Sequence, residues 1–218
     1  MAATKIPLRE RKAARTRLKL VSALQLALEN EAFDELAVKT LCDEVDISEA
    51  TFFNYFPKKT DLLDYLGRLW TLELNWHALQ AAAQQPGVPA IQVLFEQAAR
   101  HVQQAPGTYG EYIALLARRR GKPAHAPLSY AERELGFPDY EGIHDIPEQG
   151  LDAVLAQQLQ RAIDRGELPA NTHLQTVLLA LIDTFYGVIL ALRATNPGAI
   201  SHAYKTQLAL LWRGVKAG

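Results

Sequence analysis

The 218 residues suffice for a small domain plus a larger one, and 49% hydrophobic with 22% charged content describes a folded chain with a real core. A formal net charge of -1 excludes a global basic field as an argument for nucleic acid. A single cysteine, Cys42, excludes an intrachain disulfide framework and a multi-Cys zinc site.

Charge is unevenly spread. Residues 1–20 carry Lys5, Arg9, Arg11, Lys12, Arg15, Arg17 and Lys19 against Glu10 alone, a local balance of +6 that fits either a solvated basic tail or an electrostatic arm. No charged-then-apolar leader opens the chain, so a cytoplasmic location is expected. Helical periodicity appears in nearly every segment, and sustained strand alternation does not. The fold expected is all-α with about nine helices.

The first helix is expected from about Arg9 to Asn30, with Leu20, Leu24, Ala27 and Leu28 facing inward. Two short helices follow within VKTLCDEVDISEATFFNYFPKKTDLL, the stretch Val38 to Leu63. Ser48 is placed to cap the second of them, and Asp46 falls where the turn needs a left-handed backbone angle. Phe52 and Phe56, at i and i+4, share a face and form a small core with Leu41, Val45 and Ile47. That leaves Glu49, Ala50, Thr51, Phe53, Asn54 and Tyr55 on other faces.

A fourth helix is expected from Lys59 toward Gln84, ended by Gln85-Pro86-Gly87. Ile91 to Val102 make a fifth, and Tyr109 to Leu116 a sixth after Ala105-Pro106-Gly107. Arg118, Arg119 and Arg120 close it, where they suit the helix dipole or would clamp an anionic effector. Residues 121–146 hold Pro123, Pro127, Pro138, Gly136 and Gly142 with Tyr130, Phe137 and Tyr140, and a short helix near Leu128 to Leu135 fits there. A further helix from Pro147 to Arg165 should end at Gly166 in the left-handed region.

The apolar run Leu174 to Leu192 reads as a buried helix rather than a membrane span, because Asp183 would be costly in lipid. Asn171 is its expected cap, and Asn196-Pro197 starts the last helix. Ala180, Thr184, Gly187 and Ala191 repeat on one helix, and Tyr204, Leu208, Leu211 and Val215 on the next. Two such helices from each of two chains would form a four-helix dimer interface; packing of both stripes inside one chain is the alternative.

The run Val45 to Leu63 resembles the signature of TetR-family transcriptional regulators: a recognition helix after a turn, Thr-aromatic-aromatic-x-Tyr-Phe, then a lysine and a leucine pair. FDELAVKTLCDEV resembles the family's second helix, and Arg17 to Leu28 its first. The resemblance implies a helix-turn-helix DNA-binding domain over 1–63, including the basic arm, and a ligand-binding and dimerisation domain over 64–218. It implies a DNA-contact set of Lys39, Ser48, Glu49, Ala50, Thr51, Phe53, Asn54, Tyr55 and Lys59, with Thr51 and its neighbours near bases and Tyr55 and Lys59 on phosphates.

Three positions depart from the family pattern. Ala37 replaces a Ser or Thr cap, a loss worth ~1 kcal/mol of local helix stability. Phe53 replaces Tyr and lacks its hydroxyl; Glu49 brings a negative charge near DNA, to accept from cytosine or to face water.

An effector site within the C-terminal helices is also implied, with Trp70, Phe95, Tyr109, Tyr112, Phe137, Phe185 and Tyr186 as candidate lining residues or plain core. Asp183 would bond a polar ligand group or pair with Tyr or Arg in the dimer seam. His77, His101, His125, His144, His173 and His202 show no ligand spacing, so neither metal nor cofactor is expected. The function expected is a ligand-responsive regulator, a repressor, binding a near-palindromic operator as a homodimer. A helical protein-binding adaptor and an enzyme with an accessory head are the alternatives, and no nucleophile–base arrangement supports the latter.

Overall fold

The computed structural model describes residues 6–121 and 126–217; Lys5, Pro123 and His125 lie outside the described residues. Among the described residues there are ten α-helices and no strand. The first, α1 (Leu8–Ala27), starts within one residue of the expected place, with Pro7 at its N-cap position, so most of the basic arm is itself helical. Its buried stripe is Leu20, Val21, Ala23 and Leu24, a face set by the 3.6-residue period.

Next come α2 (Val38–Val45) and α3 (Glu49–Tyr55). Asp46 closes α2 at φ 57°, the only non-glycine residue with positive φ among the described residues. An aspartate tolerates that region better than most L residues. Ala37 begins α2 with no side-chain cap, as the sequence implied, whereas the Ser48 hydroxyl accepts a bond from Thr51 N. Phe52 and Phe56 are both buried, their ring centroids 5.8 Å apart, with Leu41 and Cys42 beside them in the core. Cys42 is a packed apolar side chain; burial pushes its thiol pKa up.

The longest element, α4 (Lys59–Gln84), runs from the head into the body without a break at residues 63 and 64. It packs against α5 (Val88–Gln104), and α6 (Pro106–Arg118) lies across both. Gly107 permits the close approach of α6 to the end of α1: a Cβ there would run into the Leu28 carbonyl. The short helix α7 (Tyr130–Gly136) docks on α1 and carries a complete capping box, Ser129 with Glu132. After a 3-10 turn at Ile143–Asp145, α8 (Leu151–Asp164) ends at Gly166, φ 71°, as expected.

The last pair is α9 (Leu174–Leu192) and α10 (Ile200–Ala217). His173, not Asn171, caps α9, its Nδ1 accepting from Thr176 N. The expectation of a buried α9 is overturned: only Val177, Leu181, Phe185 and Ile189 are buried, one residue in each turn. By length and composition α9 could cross a membrane, but one such helix is weak grounds for that. On α10 the expected stripe is split. Tyr204 and Leu208 point into the chain's own core, where the Tyr204 hydroxyl donates to the Phe185 carbonyl at 2.7 Å. The inward face repeats through Ile200, Tyr204, Leu208 and Trp212, which leaves Leu211 and Val215 half-buried at its edge.

Candidate nucleic-acid interface

The outward surface of α3 follows from its inward one. With Phe52 anchored and Phe56 just past the helix end, Glu49, Ala50, Phe53 and Asn54 are exposed, and Thr51 and Tyr55 are half-buried. Phe53 is 44% exposed, an apolar ring with no cover beyond its edge contact to Phe52 at 5.3 Å. The Ser48 hydroxyl contacts both the backbone N–H and the hydroxyl of Thr51, so two of the expected contact residues are held in one fixed geometry at the start of α3. Lys39 is exposed on α2 and pairs loosely with Asp43 at 3.3 Å, a bond that solvent screens.

Beside α3 the first turns of α1 form the far wall of an open groove, bringing Arg9, Lys12 and Arg17 opposite Thr51, Asn54 and Tyr55. The Arg17 guanidinium lies 5.3 Å from the Tyr55 ring centroid. Cations, a phenol and an amide along one groove suit a phosphate backbone, which takes hydrogen bonds and positive charge without sequence preference. Arg9 and Lys12 were visible in the sequence only as members of a basic run; their position on α1 singles them out.

Lys59 is placed differently. Its Nζ donates to the carbonyls of Phe33 at 2.6 Å, Leu36 at 2.9 Å and Asp34 at 3.4 Å, and sits 4.6 Å from the Phe33 ring centroid. Three ammonium protons meet three carbonyls, so Lys59 locks the loop between α1 and α2 to the start of α4.

The head is joined to the body by ion pairs. Arg17 reaches Glu132 on α7 at 3.0 Å and Arg118 reaches Asp34 at 3.0 Å, while within the body Arg119 ties α6 to Asp64 of α4. Arg118 and Arg119 thus cross-link elements instead of only terminating α6. Burial would raise the Glu132 carboxyl, but bonds from Ser129 and the Arg17 charge outweigh it and hold it below the usual carboxylate range.

The candidate effector residues divide into groups. Trp70, Tyr109, Tyr112, Phe95 and Phe185 are buried in a continuous aromatic core; Trp70 and Tyr109 lie 4.3 Å apart and Phe95 and Phe185 5.4 Å apart. Tyr186 is half-buried against Phe185. Trp70, Tyr109 and Phe137 line a cavity between α1 and the body; Phe95 instead borders a shallow groove beside α10. Asp183 is exposed on α9, which corrects the expectation of a buried carboxylate in need of a partner. It shares its helix's outer surface with Gly187 and Ala191, while Ala180 and Thr184 are half-buried.

A three-helix head with a capped, outward α3, carried on a helical body that ends in a helix pair, is a fold that this chain shares with solved transcriptional regulators. Three solved structures share it. GusR of Salmonella enterica aligns at TM-score 0.55 and 20% identity, covering 94% of this chain and 96% of its own. The ketosteroid transcriptional regulator KstR2 of Mycobacterium tuberculosis aligns at TM-score 0.57 and 16% identity over 99% of both chains. A TetR transcriptional regulator from Rhodococcus sp. RHA1 aligns at TM-score 0.52 and 15% identity, covering 93% of this chain and 97% of its own. No family model and no curated protein matches the sequence. Identities this low carry the fold.

Proposed function

We propose that this protein is a homodimeric, ligand-responsive DNA-binding regulator of the TetR type, acting as a repressor and not as an enzyme. The observation that carries the proposal is the division of α3, with Phe52 buried and Glu49, Ala50, Phe53 and Asn54 facing out beside a cationic groove. In this reading Ala50, Thr51 and Phe53 meet base edges or thymine methyls, and Ser48 orients Thr51. Tyr55, Arg9 and Lys12 hold phosphates, with Lys39 at the margin, and Lys59 acts by bracing the head. Glu49 faces water or accepts from a cytosine amino group.

Dimerisation is proposed through the outer faces of α9 and α10. Leu179, Leu190 and Leu210 are 59%, 51% and 50% exposed; Gly187 lies between the first two and Ala191 follows Leu190. Small residues among exposed leucines let a partner helix approach closely, and an apolar face of this kind is costly in water. The dimer would set two α3 helices into successive major grooves about 34–36 Å apart. Its work on DNA places it in the cytoplasm.

The test is a gel shift with the duplex flanking its own coding region. Specific binding at physiological salt is expected to be at least a thousandfold tighter than to scrambled DNA. Equal affinity for both would remove the regulator reading and favour the adaptor, to which the exposed Phe53 would offer an apolar contact.

A further inference from the structure

A cavity of about 440 Å³ opens where the head meets the body, and one of its walls belongs to the head itself. Leu18, Val21 and Ser22 of α1 face Trp70, Tyr109 and Phe137 across it. Only two polar side chains on the body wall are tied to one another: Glu73 of α4 and His101 of α5. Glu73 Oε1 accepts from the Tyr140 hydroxyl at 2.5 Å and from His101 Nε2 at 3.1 Å, with His77 Nε2 3.9 Å away. Tyr140 and His77 do not line the cavity.

We propose that this cavity is the effector site, and that it takes a flat, uncharged ring compound bearing a hydroxyl group. The inference rests on the ligand-responsive reading above and gives it a place and a ligand class. Three aromatic side chains and the methyl groups of α1 offer faces to a ring. The carboxylate of Glu73, acceptor-only when ionised, has lone pairs beyond those used by Tyr140 and His101, so it selects a ligand that donates.

Charged ligands fit less well. Burial would raise the Glu73 carboxyl, but the His101 and Tyr140 bonds prevail and keep it ionised, so a ligand carboxylate would meet a fixed negative charge. A ligand cation would have to share the Glu73 carboxylate with His101 Nε2, already 3.1 Å from it, and give up its water among apolar and aromatic side chains. The donating hydroxyl avoids both conflicts.

The cavity also explains how a ligand would be felt by DNA. Arg17, next to Leu18 in the wall, pairs with Glu132 and lies over the Tyr55 ring. A molecule wedged against α1 therefore bears on the helix that orients the proposed phosphate contacts.

Calorimetric titration of the whole chain without DNA tests the proposal, using 2-naphthol, 2-naphthoate and 2-naphthylmethylammonium as probes. 2-Naphthol is expected to bind at least tenfold tighter than either ion. Glu73→Gln and Ser22→Phe are each expected to weaken it at least tenfold. Ser22 is exposed at the cavity edge, so that variant blocks the site without disturbing the core and decides the matter if Glu73→Gln fails to fold. An ion that binds as tightly as 2-naphthol, no binding of 2-naphthol, or either folded variant binding it undiminished would overturn the assignment. A gel shift on the same protein is scored separately, so loss of DNA binding with naphthol binding intact would strike the regulator reading and not the site.

Discussion

Arg17 and Glu132 meet at 3.0 Å across the boundary between head and body, and the arginine is also stacked beside Tyr55. One guanidinium therefore connects a helix of the body to a proposed phosphate contact. Glu132 is nearly buried while Arg17 keeps about a third of its side-chain exposure, so solvent weakens the pair only in part. Glu132→Ala is expected to cost about 1–2 kcal/mol in urea unfolding. It should also lower operator affinity through a freed Arg17. Unchanged values of both would break the link between α7 and the head.

Tyr55→Phe should weaken operator binding by one hydrogen bond, roughly 1 kcal/mol. Arg9→Ala and Lys12→Ala should each reduce the slope of log affinity against log salt by about 1. Anisotropy titrations at several salt concentrations measure both effects. A slope that stays fixed in all three variants would move the DNA elsewhere on the surface.

Lys59→Met keeps the aliphatic stem but leaves the carbonyls of Phe33, Asp34 and Leu36 without their donor. A loss of about 1–3 kcal/mol in stability is expected. Because the ammonium is held by the protein, the salt slope of DNA binding should change little. A large fall in slope at native stability would instead make Lys59 a phosphate contact.

Leu190→Glu places a charge on the exposed face of α9. Sedimentation should turn from dimer to monomer, with far-ultraviolet circular dichroism unchanged. The same replacement at Leu26, 65% exposed on α1, is the control and should leave the dimer intact. Dimers persisting in the Leu190 variant would place the interface on another surface.

Stability should fall with acid in two stages. Burial depresses His77 below its ordinary 6.5, so its contribution is complete above that value and declines as pH drops through the folded value. Glu73 and Glu132 are held below their ordinary 4.5, so theirs is present above that value and lost as pH falls through the lowered values. Urea midpoints between pH 7.5 and pH 2 should show both limbs, His77→Gln removing the upper one and Glu132→Gln flattening the lower. Midpoints that rise on acidification would contradict the sign for all three groups.

The head was legible because its rules are local. Ser48 caps, Asp46 turns and the Phe52–Phe56 spacing are set by neighbours within a few residues. The family resemblance then suggested which side chains face outward. The body was harder, since burial there depends on which helix lies opposite. Tyr204 looked like a dimer residue until α5 and α9 proved to enclose it, and Asp183 looked buried because its neighbours in sequence are apolar. The role of Lys59 as a clamp depends on three carbonyls more than 20 residues away, and no periodicity carries that information. The wall that α1 lends to the cavity was invisible for the same reason, because only the docking of α7 and α6 brings it there.

The unbroken course of α4 has a mechanical consequence. At 1.5 Å per residue its 26 residues make a rod about 39 Å long, rooted beside α3 at one end and packed against α5 and α8 along the body. A tilt of about 5° at its far end would swing the tip beside α3 by about 3 Å, comparable to one base-pair step of 3.4 Å. In a pair of such rods, small adjustments deep in the body would be read out as a mismatch in the spacing of two grooves.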